Sequence, residues 1–168
     1  MPEPAPRGRS LRPWLAIAAA VIVLDRVTKA VVQGRFEPGE RLQVTGFFDL
    51  VLVFNRGAAF SFLSDAGGWQ RGFFIAVAVA ASVLIVYLLR KHADERWFAF
   101  GLALILGGAL GNLWDRVVLG HVVDFLLFHY RGWHWPAFNV ADSAITVGAI
   151  VLVVDGLRGG GKEKPQNA

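Results

Sequence analysis

The chain has 168 residues, of which 55% are apolar and only 18% charged, and its mean hydropathy is +0.48. Soluble domains carry about 25% charged residues, so this composition indicates a membrane protein. A net charge of +4 and a pI near 10.0 would suit a nucleic-acid binder. However, the basic residues flank apolar runs instead of forming a patch, and we expect no nucleic-acid partner. The absence of cysteine excludes disulfides, a thiol nucleophile and cysteine metal sites.

The first apolar run covers residues 14–32 and carries Asp25, Arg26, Thr28 and Lys29 near its end. About 20 residues cross the hydrocarbon core of a bilayer, so a membrane helix is predicted over about residues 14–33. The preceding residues 1–12 are rich in Pro and Arg and are predicted to be a disordered lead. Charges replace the small residues of a signal-peptide cleavage site, which favours a retained helix.

Residues 34–70 differ in kind from the apolar runs. Alternation at Leu42-Gln43-Val44 and the β-branched and aromatic run of residues 47–54 predict strands, and Gly39, Gly46 and Gly57 mark turns. We therefore expect a small extramembrane sheet and a lid over about residues 40–70, too short to form a domain of its own.

Three further membrane helices are predicted over about residues 72–89, 97–114 and 139–157. Gly107 and Gly111 form a GxxxG step, typical of close helix packing. Residues 114–137 are interpreted as an outer loop, where Trp133 and Trp135 suit a membrane interface. The Gly-rich residues 159–168 are predicted to be disordered.

Lysine and arginine are dense in residues 1–12, 90–96 and 158–164 and sparse in residues 34–71 and 116–137. Dense segments belong in the cytoplasm, which places both termini there. The sequence thus predicts an all-α membrane protein, with one domain over residues 1–168. Its architecture would be a four-transmembrane-helix bundle with a small periplasmic β-sheet.

This topology brings the polar clusters of three helices to the outer side of the membrane. Asp25 and Lys29 end the first helix, Asn112 and Arg116 end the third, and Asn139 opens the fourth. A conducting path needs polar groups through the full thickness, and a transporter binds near the midplane. One-sided clustering therefore favours a site acting on something in the outer leaflet over a small membrane transporter or channel subunit. A non-catalytic assembly factor is a third possibility.

Carboxylates are the strongest candidates for chemistry. Asp124 and Asp142 have no basic residue at helical spacing on their own segments, and two aspartates sharing a proton can activate water for amide hydrolysis. Structural alternatives stay open. Asp25 and Lys29, spaced i,i+4, can neutralise one another, and Asp115 beside Arg116 can do the same. Asn139 and Asp142 resemble a capping box.

Other polar residues also have structural interpretations. Asn112 suits an interhelical hydrogen bond, and Asn55-Arg56-Gly57 suits a turn. The histidines lack the HExxH spacing of a zinc protease, and Ser64 and Ser143 have no partner in a recognisable arrangement. We expect no metal and no cofactor.

Five blocks in order resemble the bacterial lipoprotein signal peptidase (signal peptidase II) family. These blocks are D-R-V-T-K at 25–29, N-R-G-A-A-F-S at 55–61, G-G-A-L-G-N-L-W-D-R at 107–116, V-V-D-F at 122–125 and F-N-V-A-D at 138–142. The likeness covers nearly all of residues 14–157, and each block matches at every motif position.

The resemblance implies an aspartyl endopeptidase of the bacterial inner membrane, with Asp124 and Asp142 as its catalytic pair. It implies that the following residues shape the site and hold the substrate: Asp25, Lys29, Asn55, Asn112, Arg116 and Asn139. The implied substrate is a diacylglyceryl-modified prolipoprotein, cut before its lipidated cysteine at the periplasmic side. Membrane lipid and a globomycin-type inhibitor are implied partners. The sheet would cradle the signal peptide, and residues 63–70 would form a flexible lid.

Overall fold

The computed structural model describes residues 10–57 and 68–159, and within these ranges the chain forms four helices and four strands. The helices are α1 Arg12–Gln33, α2 Trp69–Lys91, α3 Arg96–Val118 and α4 Val140–Gly159. The strands are β1 Arg41–Gln43, β2 Phe48–Asn55, β3 Val122–Tyr130 and β4 Trp133–His134. The predicted disordered ends, apart from residues 10–12 and 159, and most of the predicted lid lie outside the described residues.

Three of these helices are long and apolar enough to cross a membrane, judged on length and composition over the described residues. They are α2, α3 and α4. α1 has the length but carries several charges. Its charged residues Asp25 and Lys29 are completely buried, whereas Leu24 and Val27 are 56% and 54% exposed. A helix that turns its charges inward and its apolar side chains outward is suited to lipid surroundings.

α3 lies at the centre of the bundle and packs against the other three helices. Glycines permit this close approach. A Cβ at Gly107 would lie 2.7 Å from the Ala18 carbonyl oxygen of α1, and one at Gly111 would lie 2.9 Å from the Asp25 carboxylate. On the neighbouring side of α3, a Cβ at Gly108 would lie 2.3 Å from the Ala141 carbonyl oxygen of α4. The packing role predicted for the GxxxG step is confirmed.

The sheet is antiparallel with strand order β1-β2-β3-β4. The interpretation of residues 114–137 as a loop was wrong, because α3 continues to Val118 and residues 122–130 pair with β2 along its length. Val123 and Phe125 of β3 are buried against Val32 of α1 and Leu52 of β2. The sheet therefore rests on the end of the bundle at which α1 finishes.

The segment leading into α4 is hydrogen-bonded to β3. Phe138 donates its backbone N–H to the Leu126 carbonyl at 3.0 Å, and its own carbonyl accepts from Phe125 and Leu126. This pairing fixes the chain just before α4 begins. It sets the first turn of α4 beside the first half of β3, which contains Asp124.

Candidate active site

All eight residues singled out in the sequence come together where the sheet meets α1, α3 and α4. Five of them line a cavity of about 510 Å³: Asn55, Asn112, Arg116, Asp124 and Asp142. The other three, Asp25, Lys29 and Asn139, are completely buried behind it. Apolar side chains of β3 and α4, among them Val122, Ile145 and Val147, complete the cavity wall. The cavity thus has a polar base, formed by the five residues named above, and an apolar wall beside it.

Asp124 reaches the cavity from the first half of β3 and is only 2% exposed. Its Oδ1 accepts a hydrogen bond from Asn139 Nδ2 at 2.7 Å, and its Oδ2 accepts one from Asn55 Nδ2 at 3.0 Å. Burial and then the negative charge of Asp142 raise the pKa of Asp124 to about 7, against the lowering effect of these hydrogen bonds. Asp124 can therefore hold a proton near neutral pH.

Asp142 lies in the first turn of α4, and Asn139 links it to Asp124. The backbone N–H of Asp142 donates to Asn139 Oδ1 at 2.9 Å, and Asp142 Oδ2 accepts from the Asn139 backbone N–H at 3.2 Å. The capping box suggested by the sequence is thus present. It occupies only one carboxylate oxygen, because Asp142 Oδ1 accepts instead from Asn112 Nδ2 at 2.7 Å. Capping and a role in the cavity are compatible.

Asn55 likewise takes part both in the predicted turn and in the cavity. Its Oδ1 accepts from the Gly57 backbone N–H at 2.9 Å, which forms the predicted turn, while its Nδ2 reaches Asp124. Arg116 donates to the Gly57 carbonyl at 3.1 Å and to the Asn112 carbonyl at 3.3 Å. Its guanidinium lies over the ring of Phe74 from α2, 5.2 Å from the ring centroid. Arg116 is therefore fixed in place with its charge facing the cavity.

A buried ion network lies beneath the two cavity aspartates. Lys29 Nζ is 2.8 Å from Asp25 Oδ2 and 2.7 Å from Asp115 Oδ2, and Arg26 pairs with the other oxygen of Asp115. The i,i+4 pairing of Asp25 with Lys29 suggested by the sequence is present. The suggested pairing of Asp115 with Arg116 was wrong, because successive residues of a helix point about 100° apart. Asp115 turns towards α1 instead.

Sequence reasoning missed a second polar cluster at the far end of the sheet. Asp49 of β2 is completely buried and pairs with Arg41 of β1 and with His129 Nε2 of β3 at 3.1 Å. Burial alone would raise the pKa of Asp49, but these two partners outweigh it and lower that pKa. Arg41 also contacts His134 of β4 at 3.3 Å. The sequence gives little sign of this cluster, because Asp49 and His129 are 80 positions apart.

Two other groups bear on the chemistry. Ser143 lies at the cavity, but its hydroxyl donates to the Asn139 carbonyl at 2.9 Å, as serines in helices commonly do. Among the described residues, no group of three or more His, Asp or Glu side chains could hold a metal ion. The geometry thus brings two carboxylates, those of Asp124 and Asp142, to one cavity, and the pKa of Asp124 is raised there.

Comparisons with known proteins agree with this geometry. A family model described as signal peptidase (SPase) II matches residues 17–158. The lipoprotein signal peptidase of Paraburkholderia phytofirmans is 58% identical over 157 residues, 94% of this chain and 91% of that protein. The lipoprotein signal peptidase of Cupriavidus necator is 60% identical over 145 residues, 86% of this chain and 83% of that protein.

Solved structures show the same fold. A bacterial membrane enzyme determined by the in meso method at 2.3 Å resolution superposes with a TM-score of 0.84 at 30% identity, covering 94% of this chain and 95% of that chain. A second such enzyme, at 1.9 Å resolution, gives a TM-score of 0.77 at 32% identity, covering 88% of this chain and 94% of that chain.

Proposed function

We propose that Asp124 and Asp142 are the catalytic pair of this chain, which belongs to the signal peptidase II family, the lipoprotein signal peptidases. The chain is an aspartic-type peptidase that removes signal peptides from prolipoproteins, and it is a membrane protein. The similarity does not favour a transporter or channel subunit. The observation that carries the catalytic assignment is the hydrogen-bonded bridge through Asn139, which holds both carboxylates at one cavity.

The charges around the cavity favour a pair that shares one proton. Four aspartates, at positions 25, 115, 124 and 142, are matched by three basic side chains, those of Arg26, Lys29 and Arg116. One negative charge is in excess, and a proton on the pair neutralises it. Close carboxylates resist ionising together, and the raised pKa of Asp124 agrees with this.

In the proposed reaction, the ionised carboxylate takes a proton from water, and the resulting hydroxide attacks the carbonyl carbon of the scissile peptide bond. The protonated carboxyl group donates to the carbonyl oxygen as negative charge develops there. The tetrahedral intermediate then collapses, the carbon–nitrogen bond breaks, and the leaving amine takes the proton held by the first carboxylate. Asn55, Asn112 and Asn139 keep the carboxylates in position.

The finer substrate assignment is also a proposal. The substrate carries a diacylglyceryl group on the cysteine that follows the scissile bond. The apolar wall beside the polar base of the cavity suits a lipid-bearing peptide. A globomycin-type cyclic peptide would compete for the same cavity. Purified protein should cleave a lipidated prolipoprotein and leave the non-lipidated form intact, and equal cleavage of both would contradict the assignment.

We further propose that α1 is a fourth membrane span and that both termini lie in the cytoplasm of a bacterial inner membrane. The sheet and the cavity then face the periplasm. The inward charges and outward apolar residues of α1 support the span, and the lysine and arginine distribution supports the orientation. A reporter enzyme that is active only outside the cytoplasm should be active when it is fused near residue 45. A cytoplasmic signal there would overturn the proposed orientation.

Asparagine substitutions test the catalytic pair. Asparagine keeps the shape of aspartate and still has an oxygen that can accept from the Asn139 backbone N–H. Asp142→Asn should therefore cost the fold no more than about 1 kcal/mol if Asp142 only completes the capping box of α4. If Asp142 is catalytic, the variant should fold while cleavage falls by orders of magnitude, and Asp124→Asn should behave alike. The double variant should be little worse than either single one, because the pair acts as a unit.

Asp49→Asn is the matched control, since it removes another buried aspartate that lies at the far end of the sheet. It should retain cleavage at neutral pH. Well-folded Asp124→Asn or Asp142→Asn protein that still cleaves a lipidated prolipoprotein would end the proposal.

A further inference from the structure

We infer that Lys29 is a positioning residue for the cleavage reaction, which it serves by fixing the orientation of the Asn112 side-chain amide against Asp142. This inference rests on the proposed catalytic role of Asp142. It assigns Lys29 a task beyond neutralising Asp25. Lys29 is completely buried and does not line the cavity formed by the described residues, so it acts through another group.

The contacts of Lys29 Nζ show how it does so. An ammonium group has three N–H donors and no acceptor. Nζ has Asp25 Oδ2 at 2.8 Å, Asp115 Oδ2 at 2.7 Å and Asn112 Oδ1 at 3.1 Å. Two of these partners are carboxylates that balance charge. The third is a neutral amide oxygen, and through it Lys29 is linked to the side chain of Asp142.

The amide of Asn112 can satisfy its neighbours in only one orientation. With its oxygen towards Lys29, its nitrogen donates to Asp142 Oδ1 at 2.7 Å. Turned by 180°, the amide would set N–H groups against the ammonium donors and an oxygen against the Asp142 carboxylate. Both new contacts would be repulsive. The buried lysine charge therefore selects the orientation that supplies a hydrogen bond to Asp142.

Asn139 alone cannot hold that orientation as firmly. Its Nδ2 also contacts Asn112 Oδ1, at 3.2 Å, but the same nitrogen serves the Val123 carbonyl at 3.2 Å and Asp124 Oδ1 at 2.7 Å. Two N–H bonds are thus shared among three acceptors. The shortest contact goes to Asp124, so Lys29 is the main partner of the Asn112 oxygen.

Asp25 contributes a second constraint on the same turn of α4. Its Oδ1 accepts a hydrogen bond from the Ala141 backbone N–H at 3.0 Å. Asp25 thus holds the backbone next to Asp142, while Lys29 holds the side chain of Asp142 through Asn112. The two effects can be separated by substitution, because asparagine at position 25 can still accept from Ala141.

The test is a cycle of variants measured with a lipidated prolipoprotein in detergent. Lys29→Met alone would leave a buried carboxylate without its partner, so it is combined with Asp25→Asn, which keeps the network neutral and preserves the acceptor for Ala141. The other members are Asn112→Ala and the triple variant. Thermal unfolding monitors folding, and initial rates over a range of substrate concentrations give kcat and KM.

The Asp25→Asn/Lys29→Met variant should lose roughly 10²-fold in kcat, the scale of a small misplacement of a catalytic group. Its KM should change little, because Lys29 does not reach the cavity. Asn112→Ala should lose at least as much, and the triple variant should be no slower than Asn112→Ala. A side chain that only stabilised the fold would instead lower the melting temperature and leave kcat per folded molecule unchanged.

Two results would overturn the inference. One is a folded Asp25→Asn/Lys29→Met protein with unchanged kcat, and the other is a triple variant whose loss is the product of the separate losses. If the methionine variant does not fold, Asp25→Asn/Lys29→Gln keeps a shorter polar side chain, and the same coupling with Asn112→Ala is expected. If Asp124 and Asp142 are not the catalytic pair, a folded Asp142→Asn variant will still cleave the substrate. That result distinguishes failure of the proposed function from failure of the inference about Lys29.

Discussion

Asp124→Asn should stabilise the fold above pH 7 while it abolishes cleavage. The pKa of Asp124 is raised from 3.8 to about 7 in the folded protein. The folded state therefore binds a proton more readily than the unfolded state does between these values. In that interval wild-type stability falls as pH rises, because the folded state must either keep the proton or bury a second negative charge beside Asp142.

The size of the effect follows from the shift. A shift of about 3 pKa units corresponds to roughly 4 kcal/mol at 1.36 kcal/mol per unit. A carboxamide has nearly the shape of a protonated carboxyl group and likewise offers one acceptor oxygen beside a donor. The asparagine variant should therefore match the wild type below about pH 4 and gain stability with rising pH until about pH 7. For a chain of this size, the gain corresponds to a rise in melting temperature on the order of 10 °C.

Thermal unfolding in detergent from about pH 3 to pH 9 measures this difference. Asp49→Asn is the control with the opposite sign, because the pKa of Asp49 is lowered in the folded state by His129 and Arg41 despite its burial. That variant should be less stable than the wild type at neutral pH. Its deficit should shrink as pH falls below 3.8, through the lowered pKa of the folded state. An Asp124→Asn protein whose difference from the wild type does not change with pH would refute the reasoning.

Three further predictions concern activity and packing. Cleavage should decline as pH rises through about 7, because the pair then loses its shared proton as Asp124 ionises; a flat profile from pH 6 to 9 would contradict this. Gly108→Ala should lower the melting temperature and the cleavage rate, because its Cβ would meet the Ala141 carbonyl oxygen at 2.3 Å; Gly72→Ala, also in a helix but with nothing within 4 Å of the added Cβ, should lower neither. Cleavage should persist in a strong chelator, and loss of activity that zinc restores would argue for metal chemistry.

The polar contacts within single helices were largely predictable from sequence. Asp25 and Lys29 are four residues apart, so their pairing needed only the helical period. Asn139 and Asp142 showed their capping box in the same way. The contact of Lys29 with Asn112 joins residues 83 positions apart. The motif order made it plausible that these residues meet, but spacing alone could not identify which atoms touch.

The second half of the sheet was not predictable in this way. Val122–Tyr130 lies within residues 114–137, whose Trp and His content indicates an outer loop. Its strand character comes from pairing with Phe48–Asn55, far away in the chain. Such pairing depends on tertiary contacts more than on local propensity. The cluster around Asp49 was missed for the same reason, because His129 reaches it only once β2 and β3 are paired.

The order of the site residues along the chain has a consequence for biosynthesis. Asp25 lies in the first helix, Asp124 in a strand near the end of the chain and Asp142 in the last helix. A ribosome-bound chain that has not yet delivered its last helix to the membrane therefore has Asp124 but lacks Asp142, and α3 has no α4 to pack against. On the proposed assignment of Asp124 and Asp142 as the catalytic pair, the chain becomes able to cleave its substrate only after its last helix has been made and inserted.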